Sequence, residues 1–412
     1  MSEEKLVPKL RFSGFDGEWN ETTLSDIATF SKGKGISKKD ISDDGIECVR
    51  YGELYTKYTE MIYNVDSKTN LDENELQLSE KYDILIPCSG ETAIDLATAS
   101  CIQKDQVAIG GDITIIKTNQ YAPFITYYLN QKKTEIAKYA QGVSIVHLYP
   151  KDFNVLNIKI PLIKEQKKIV HILEKISYKE QLLEKKLKSY QDFKKYLMQQ
   201  IFTQKLRFDF NDDWQDHTFK ELLIEVNEKT TVNNQHEILS STKEGIFTQK
   251  EYFANRNVAS KDNTGYKILR KNQIVLSPQN LWMGNINVNT EFEIGIVSPS
   301  YKIYETTDLI EIDYFKHIIK LPRLIYEYKC ASEQGASIVR RNLNKQLFDE
   351  ITISIPSLKE QQKIGNMLTL IDKKITETSK QIDESKEFKK GLLQQMFDNM
   401  LFKNIIYKLF LN

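Results

Sequence analysis

The chain repeats itself. Residues 154–202 align without a gap on residues 349–397, at a constant offset of 195, and 19 of the 49 positions are identical. A second pair precedes each block, AQGVSIVHLYPKDF at 140–153 and EQGASIVRRNLNKQLF at 333–348. A third opens each half, PKLRFSGFDGEW at 8–19 and QKLRFDFNDDW at 204–214. A period of this length is a tandem duplication of a whole domain. Solenoid repeats run at roughly 20–50 residues.

Each half has the same order. A segment with short β-prone runs comes first, at about 21–140 and 216–333, including YDILIP, DITIIK, QIVLSP and SYKIYE between Gly, Asn and Asp. A helical stretch follows. No glycine lies between Gly142 and Gly245, and no proline between Pro161 and Pro278. Residues 163–202 space Ile169, Leu173, Ile176, Leu183, Leu187, Tyr190, Leu197 and Ile201 alternately by three and four, with gaps of one heptad. The second copy shows Ile364, Leu368, Ile371, Ile375, Ile382, Leu392 and Met396. That is a coiled-coil seam. Pro161 and Pro356 precede the two helix starts, and Ser357 with Glu360 reads as a capping box. Forty residues make a rod of roughly 60 Å. A rod with one apolar stripe needs a partner; its duplicate is the favoured one, because a sustained seam suits helix–helix packing, and folding back on its own globular segment is the alternative. The expected fold is α+β: two β-rich globular domains and two long helices paired as an antiparallel coiled coil with pseudo-two-fold symmetry. The expected boundaries are 1–153, first globular domain; 154–203, central repeat helix; 204–348, second globular domain; and 349–412, C-terminal repeat helix and tail.

Catalytic motifs are missing. There is no GxxxxGK[ST] loop, no GxGxxG, no GxSxG and no adjacent proline pair of the kind found in amino-group methyltransferase pockets. The histidines (His147, His171, His217, His236, His317) show no ligand spacing, and Cys48, Cys88, Cys101 and Cys330 form no CxxC pair. Glu165 and Lys167 match an acidic-x-Lys pattern of nucleases, but on a rod this reads as a solvated face. No catalytic or metal residue is assigned. No stretch of about 18 apolar residues exists, so no membrane span is expected, and the polar start MSEEKL is not that of a signal peptide.

Binding is what remains. The chain carries 57 basic and 57 acidic residues. Residues 159–207 hold 13 basic against 5 acidic side chains, whereas residues 1–158 hold 17 against 24. In the first globular segment the candidate DNA-contacting residues are Lys32, Lys34, Lys38, Lys39, Arg50, Tyr51, Tyr55, Ser89, Thr92, Ser144 and His147. In the second they are Lys243, Lys250, Arg256, Gln279, Asn280, Trp282, Ser337, Arg340 and Arg341. Lysines can neutralise phosphates, while Arg, Asn, Gln and hydroxyls can reach base edges. The rods and flanks match between halves and the globular interiors differ. Such a pseudo-symmetric clamp with two unlike reading heads suits an asymmetric, split site on duplex DNA.

In this order of parts, and in IPLIKEQKKI/IPSLKEQQKI, KKYLMQQIF/KKGLLQQMF, QGVSIVHL/QGASIVRR and KLRFSGFDGEW/KLRFDFNDDW, the chain resembles the specificity subunits of Type I restriction-modification systems. The resemblance covers essentially all of it. It implies that each head reads one half of a bipartite DNA site and that the coil sets the unread spacer. Two modification subunits would dock on the rods and methylate adenine N6 with S-adenosylmethionine, and restriction subunits would add ATP- and Mg-dependent cleavage. The chain itself would be non-catalytic, cofactor-free and cytoplasmic in a bacterium. The alternative is a protein-only coiled-coil scaffold with two β-rich binding heads.

Overall fold

The two KEQ helices begin two residues after their prolines and run as unbroken α-helices, Ile163–Phe202 and Leu358–Phe397, 40 residues each. They are called the first and second rod. The computed structural model describes residues 7–142, 146–253, 260–334 and 341–397. The chain divides into two compact units, residues 1–185 with 380–412, and residues 186–379. Each rod gives one half to each unit.

Within the first unit the start of the first rod lies beside the end of the second. Ile169, Val170 and Leu173 share a core with Leu392, Leu393, Met396 and Phe397. Further along, Ser385 donates to Glu180 at 3.2 Å and Lys386 meets Glu184 at 2.9 Å. Numbering rises along one helix as it falls along the other, so the pairing is antiparallel. The second unit repeats this. Leu197 and Ile201 pack with Ile364, Leu368 and Ile371, and Lys194 pairs with Asp372 at 2.5 Å. The seam is unevenly buried. Leu173, Leu368, Ile382 and Leu392 are buried, whereas Ile176, Leu183, Leu187, Tyr190 and Ile375 are half-buried. At their first turns the rods enter the core of a globular segment as well as facing each other.

The globular segments share a frame. Asn20–Thr23 pairs antiparallel with Asn157–Ile160, Asn20 opposite Ile160. Gln215–Thr218 pairs with Thr352–Ile355, Gln215 opposite Ile355. The central sheet of the first unit runs Ala28–Lys32, Ile113–Thr118, Ile84–Pro87, Ser100–Ile102, Met61–Ile62. That of the second runs Leu223–Val226, Lys302–Thr306, Ile274–Leu276, Ile286–Val288. Ile84–Pro87 and Ile274–Leu276 are buried throughout, as strands covered on both faces must be. Beyond the shared strands the units differ. The first adds a four-stranded sheet (Ala108–Ile109, Ile46–Val49, Lys68–Thr69, Ile41–Ser42), and the second adds the pairs Leu239–Ser241/Ile246–Thr248 and Lys267–Arg270/Ile294–Val297.

The matching sequence blocks lock this frame together. Arg11 of the first KLRF grips Glu165 with both arms of its guanidinium, Nε to Oε1 and Nη2 to Oε2, each at 2.8 Å. Arg207 of the second grips Glu360 at 3.1 and 2.7 Å. Each glutamate is 1% exposed. Two expectations are thereby corrected. Glu165 is a buried partner of an arginine, and of the acidic-x-Lys pair only Lys167 is solvated. Glu360 gives both oxygens to Arg207 and, among the described residues, makes no hydrogen bond to Ser357, so the expected capping box is not formed; the Ser357 carbonyl accepts the first bond of the helix, from Gln361 N at 2.9 Å. The next residue of each motif holds the rod to the adjoining loop. Gln166 accepts from Tyr121 N at 3.0 Å and donates to Pro161 O at 2.8 Å; Gln361 accepts from Glu311 N and donates to Pro356 O, both at 2.9 Å. The rod ends match too. Leu206 N donates to Gln200 O at 3.1 Å in the second unit, and Leu10 N donates to Gln395 O at 3.1 Å in the first. One contact follows directly along the chain, while the other joins residues near opposite termini. No helix among the described residues is long and apolar enough to cross a membrane.

Candidate nucleic-acid interface

In both units the chain leaves the buried central strand through a polar loop that meets the base of the QG-SIV segment. In the first, Ser89–Gly90 pairs antiparallel with Val146–His147, and Leu148 N donates to Cys88 O at 3.0 Å. Ser89 Oγ lies 3.2 Å from His147 Nδ1. His147 stacks on Tyr149 at 6.0 Å, and Lys32 and Lys151 place their ammonium groups 5.6 and 5.8 Å from the Tyr149 ring centre. In the second unit the loop is Ser277–Gly284. Arg341 N donates to Gln279 O at 3.2 Å, and the Arg341 guanidinium lies 4.7 Å above the Trp282 ring. Gly284 closes this loop at φ +86°, a left-handed conformation that favours glycine.

These two corners are equivalent. Leu148 N bonds Cys88 O just past Ile84–Pro87 as Arg341 N bonds Gln279 O just past Ile274–Leu276, the register that QGVSIVHL and QGASIVRR also give. The positions correspond, but the chemistry differs: a serine–histidine pair beside tyrosine and lysines in one, a glutamine with an arginine on tryptophan in the other.

The first unit carries a second basic surface. In SKGKGISKK, Gly33 N donates to Ile113 O at 3.0 Å and Lys34 N to Ile109 O at 2.9 Å. A Cβ on Gly33 would stand 2.1 Å from Gly110 O, so only glycine permits this approach. Held by its main chain, the loop exposes Lys32, Lys34, Lys38 and Lys39. A cleft of about 1110 Å³ brings Lys38 and Lys39 together with Arg50, Tyr51 and Tyr55, and also with Glu91 and Asp112. Arg50 is tied to buried Glu53 at 3.7 Å; Glu53 also takes Lys57 at 3.0 Å and a short hydrogen bond from Ser67 Oγ. Thr92 caps the helix Ala93–Leu96, accepting from Asp95 N at 3.2 Å. Its hydroxyl is therefore engaged locally.

Lys243 and Lys250 are exposed on and after the Leu239–Ser241/Ile246–Thr248 hairpin, and among the described residues no contact joins them to the Gln279–Arg341 corner. Beneath Lys243, Lys320 Nζ donates to Lys243 O at 2.9 Å and to Asn287 Oδ1 at 2.6 Å. Asn280 supports its own loop, accepting from Met283 N at 3.0 Å. Ser144, Arg256, Ser337 and Arg340 lie outside the described residues. Sequence reasoning missed Tyr149 and Lys151; the signal was an aromatic and a lysine just beyond a repeated block. Burial pushes the Cys48 thiol up to about 11 and the Cys101 thiol to about 12, so neither is a ready thiolate. Among the described residues no group of His, Cys, Asp or Glu is placed to hold a metal ion.

Duplicated frames with unlike corners define a tandem recognition protein. The family model for the Type I restriction modification DNA specificity domain matches residues 16–189 and again 211–385, and the chain belongs to that family. A curated relative, the specificity subunit of the Type I restriction enzyme MjaVIII from Methanocaldococcus jannaschii, is 27% identical over 144 residues. That match spans 34% of this chain and 32% of the relative, about a third of each. Among solved structures, the S subunit of a Type-I restriction-modification system from M. genitalium superposes with a TM-score of 0.62 at 17% identity, covering 96% of this chain and 100% of that one. A chain from a structure of the type I R-M system, described for its complex assembly and conformational transition, gives 0.50 at 14% identity, covering 94% and 100%. Both likenesses concern the fold.

Proposed function

We propose that the chain is the DNA-reading subunit of a Type I restriction-modification complex, each globular segment reading one half of a bipartite, asymmetric site. The observation that carries this is the pair of equivalent corners. A duplicated protein that bound one ligand twice would keep like side chains there, but Ser89/His147 stands against Gln279/Arg341. Hydroxyl, imidazole, amide and guanidinium groups can all reach base edges. The exposed lysines of residues 32–39 supply the sequence-independent phosphate attraction. The paired rods set the length of the unread gap and carry two modification subunits, which supply adenine N6-methylation with S-adenosylmethionine. Restriction subunits add ATP- and Mg-dependent cleavage, and the chain works in the cytoplasm without chemistry of its own.

The test is methylome sequencing of cells expressing this chain with a cognate modification subunit, against the modification subunit alone. A new adenine-methylated motif in two parts around a fixed gap is expected. Exchanging residues 21–140 for another head should then alter one half only. A soluble complex that yields no bipartite motif would sink the reading.

A further inference from the structure

Six arginines fall among the described residues. Arg11, Arg50, Arg207 and Arg270 pair with Glu165, Glu53, Glu360 and Glu228. Arg323 donates to Thr352 O at 3.2 Å. Arg341 differs: among the described residues its guanidinium meets neither a carboxylate nor a carbonyl. It is half-buried, lies on the Trp282 ring at 4.7 Å, and its Nε is shielded from water without an acceptor.

Arginine cannot shed its charge in a protein, so a half-desolvated guanidinium without an acceptor is unfavourable unless something else is gained. Here the attachment is directional. The indole face holds the guanidinium from one side, and the Arg341 N to Gln279 O bond fixes the strand that bears it. With Nε covered, the two terminal amino groups remain as a planar donor fork. Two acceptors fit such a fork: the O6/N7 edge of guanine in the major groove, or a phosphate. The duplication decides between them. A contact that merely seats the protein on a phosphate would serve both halves alike, yet the equivalent place in the first unit, set by the bond from Leu148 N to Cys88 O, holds a leucine, which has no donor fork.

We infer that Arg341, held on Trp282, reads a guanine in the second half-site through its terminal amino pair. The inference rests on the function proposed above. It is tested with the full chain in complex with its modification subunit, once the wild-type motif is known from the methylome. Competition binding then uses duplexes carrying each of the four base pairs in turn at every position of the second half-site. The wild type should prefer G·C at one position by roughly 10- to 100-fold. Arg341→Gln should reduce that preference to threefold or less and leave the other positions and the first half-site unchanged. Arg341→Lys, which keeps the charge but loses the fork, should do the same, and it serves if the glutamine variant does not assemble. Trp282→Leu should weaken the same preference in part. Equal weakening on every duplex would make Arg341 a phosphate contact and overturn the inference. So would an unchanged preference in either Arg341 variant. A wild-type complex with no bipartite motif would defeat the functional reading itself, and the inference with it.

Discussion

Removing Arg207 tests how the repeat is held together. Glu360 is 1% exposed and both its oxygens go to Arg207, which also bonds Asp212 O at 2.8 Å. Arg207→Ala therefore strands a carboxylate in the interior. Breaking a buried pair from one side costs roughly 3–5 kcal/mol. A fifth of the Arg207 side chain is exposed, so water relieves part of that cost. The chain forms two units, so one global unfolding curve would mix them. Hydrogen exchange of peptides spanning 203–214 and 358–365 reads the clasp locally. Exchange there should speed by roughly 10- to 100-fold. Arg207→Lys, which keeps the charge without the fork, should give an intermediate change. Adding Glu360→Gln to Arg207→Ala should restore part of the protection, since a neutral amide needs no counter-ion. If Arg207→Ala changes exchange by less than threefold, the clasp is not what holds the opening segment to the rod. The reasoning would then fail for Arg11 and Glu165 as well.

His317 is buried, 3.3 Å from Thr369 Oγ1 and 3.6 Å from an Asp372 carboxylate that also holds Lys194. Burial, reinforced by Lys194 and outweighing Asp372, brings it down to about 4. With an unfolded value near 6.5, the unfolded chain takes up the proton first as pH falls. The stabilisation from neutral His317 is complete above about 6.5 and is lost toward 4, amounting to about 3 kcal/mol at most. His317→Gln should flatten the fall of Tm between pH 6.5 and 4.5; parallel curves for both proteins would refute this. A Cβ on Gly365 would stand 2.9 Å from Asp313 C and Tyr314 N. Gly365→Ala should therefore lower stability by about 1–3 kcal/mol despite the better helix propensity of alanine, and a raised Tm would contradict that close packing. Along the seam, Leu368→Ala should cost about 2–5 kcal/mol and half-buried Leu183→Ala less than half as much, as measured by denaturant titration. Equal losses would argue for a uniformly buried coil.

The rods were fully legible: an uninterrupted three-four pattern after Pro161 and Pro356 places both helices, and the duplication supplies their partner. The uneven burial was not legible, because periodicity marks a face without saying how many neighbours cover it. Leu173 and Leu187 look alike in sequence; only Leu173 also enters the core of a globular segment. The clasp was invisible for a different reason. Arg11 and Glu165 stand 154 residues apart, so no local pattern links them, although both lie in blocks that repeat. At the candidate site, residue type singled out the lysines of 32–39, Gln279, Trp282 and Arg341 without showing which of them the fold brings together. Nor could it show that Thr92 caps a short helix, because a capping threonine has the same composition as one left free.

What the duplication preserved and what it let change follow one physical division. Arg11 with Glu165 and Arg207 with Glu360 satisfy each other in the interior, and Gln166 and Gln361 satisfy main-chain groups of the adjoining loops, so losing one member leaves a buried polar group unpaired. Such a set can change only together, and it is the same in both halves. Ser89, His147, Gln279 and Arg341 stand at the ends of strands whose main chains are already bonded, so their side chains are free to differ without disturbing the frame. Even within the core the copies diverge where a head sets the spacing. Val170 is fully buried in the first rod, while its counterpart Gly365 admits the backbone at Asp313–Tyr314 against the second. Each half thus tolerates a different filling on one common support. Under the function proposed above, a reader of two unlike half-sites needs that separation, because a change of reading side chain must not cost the fold.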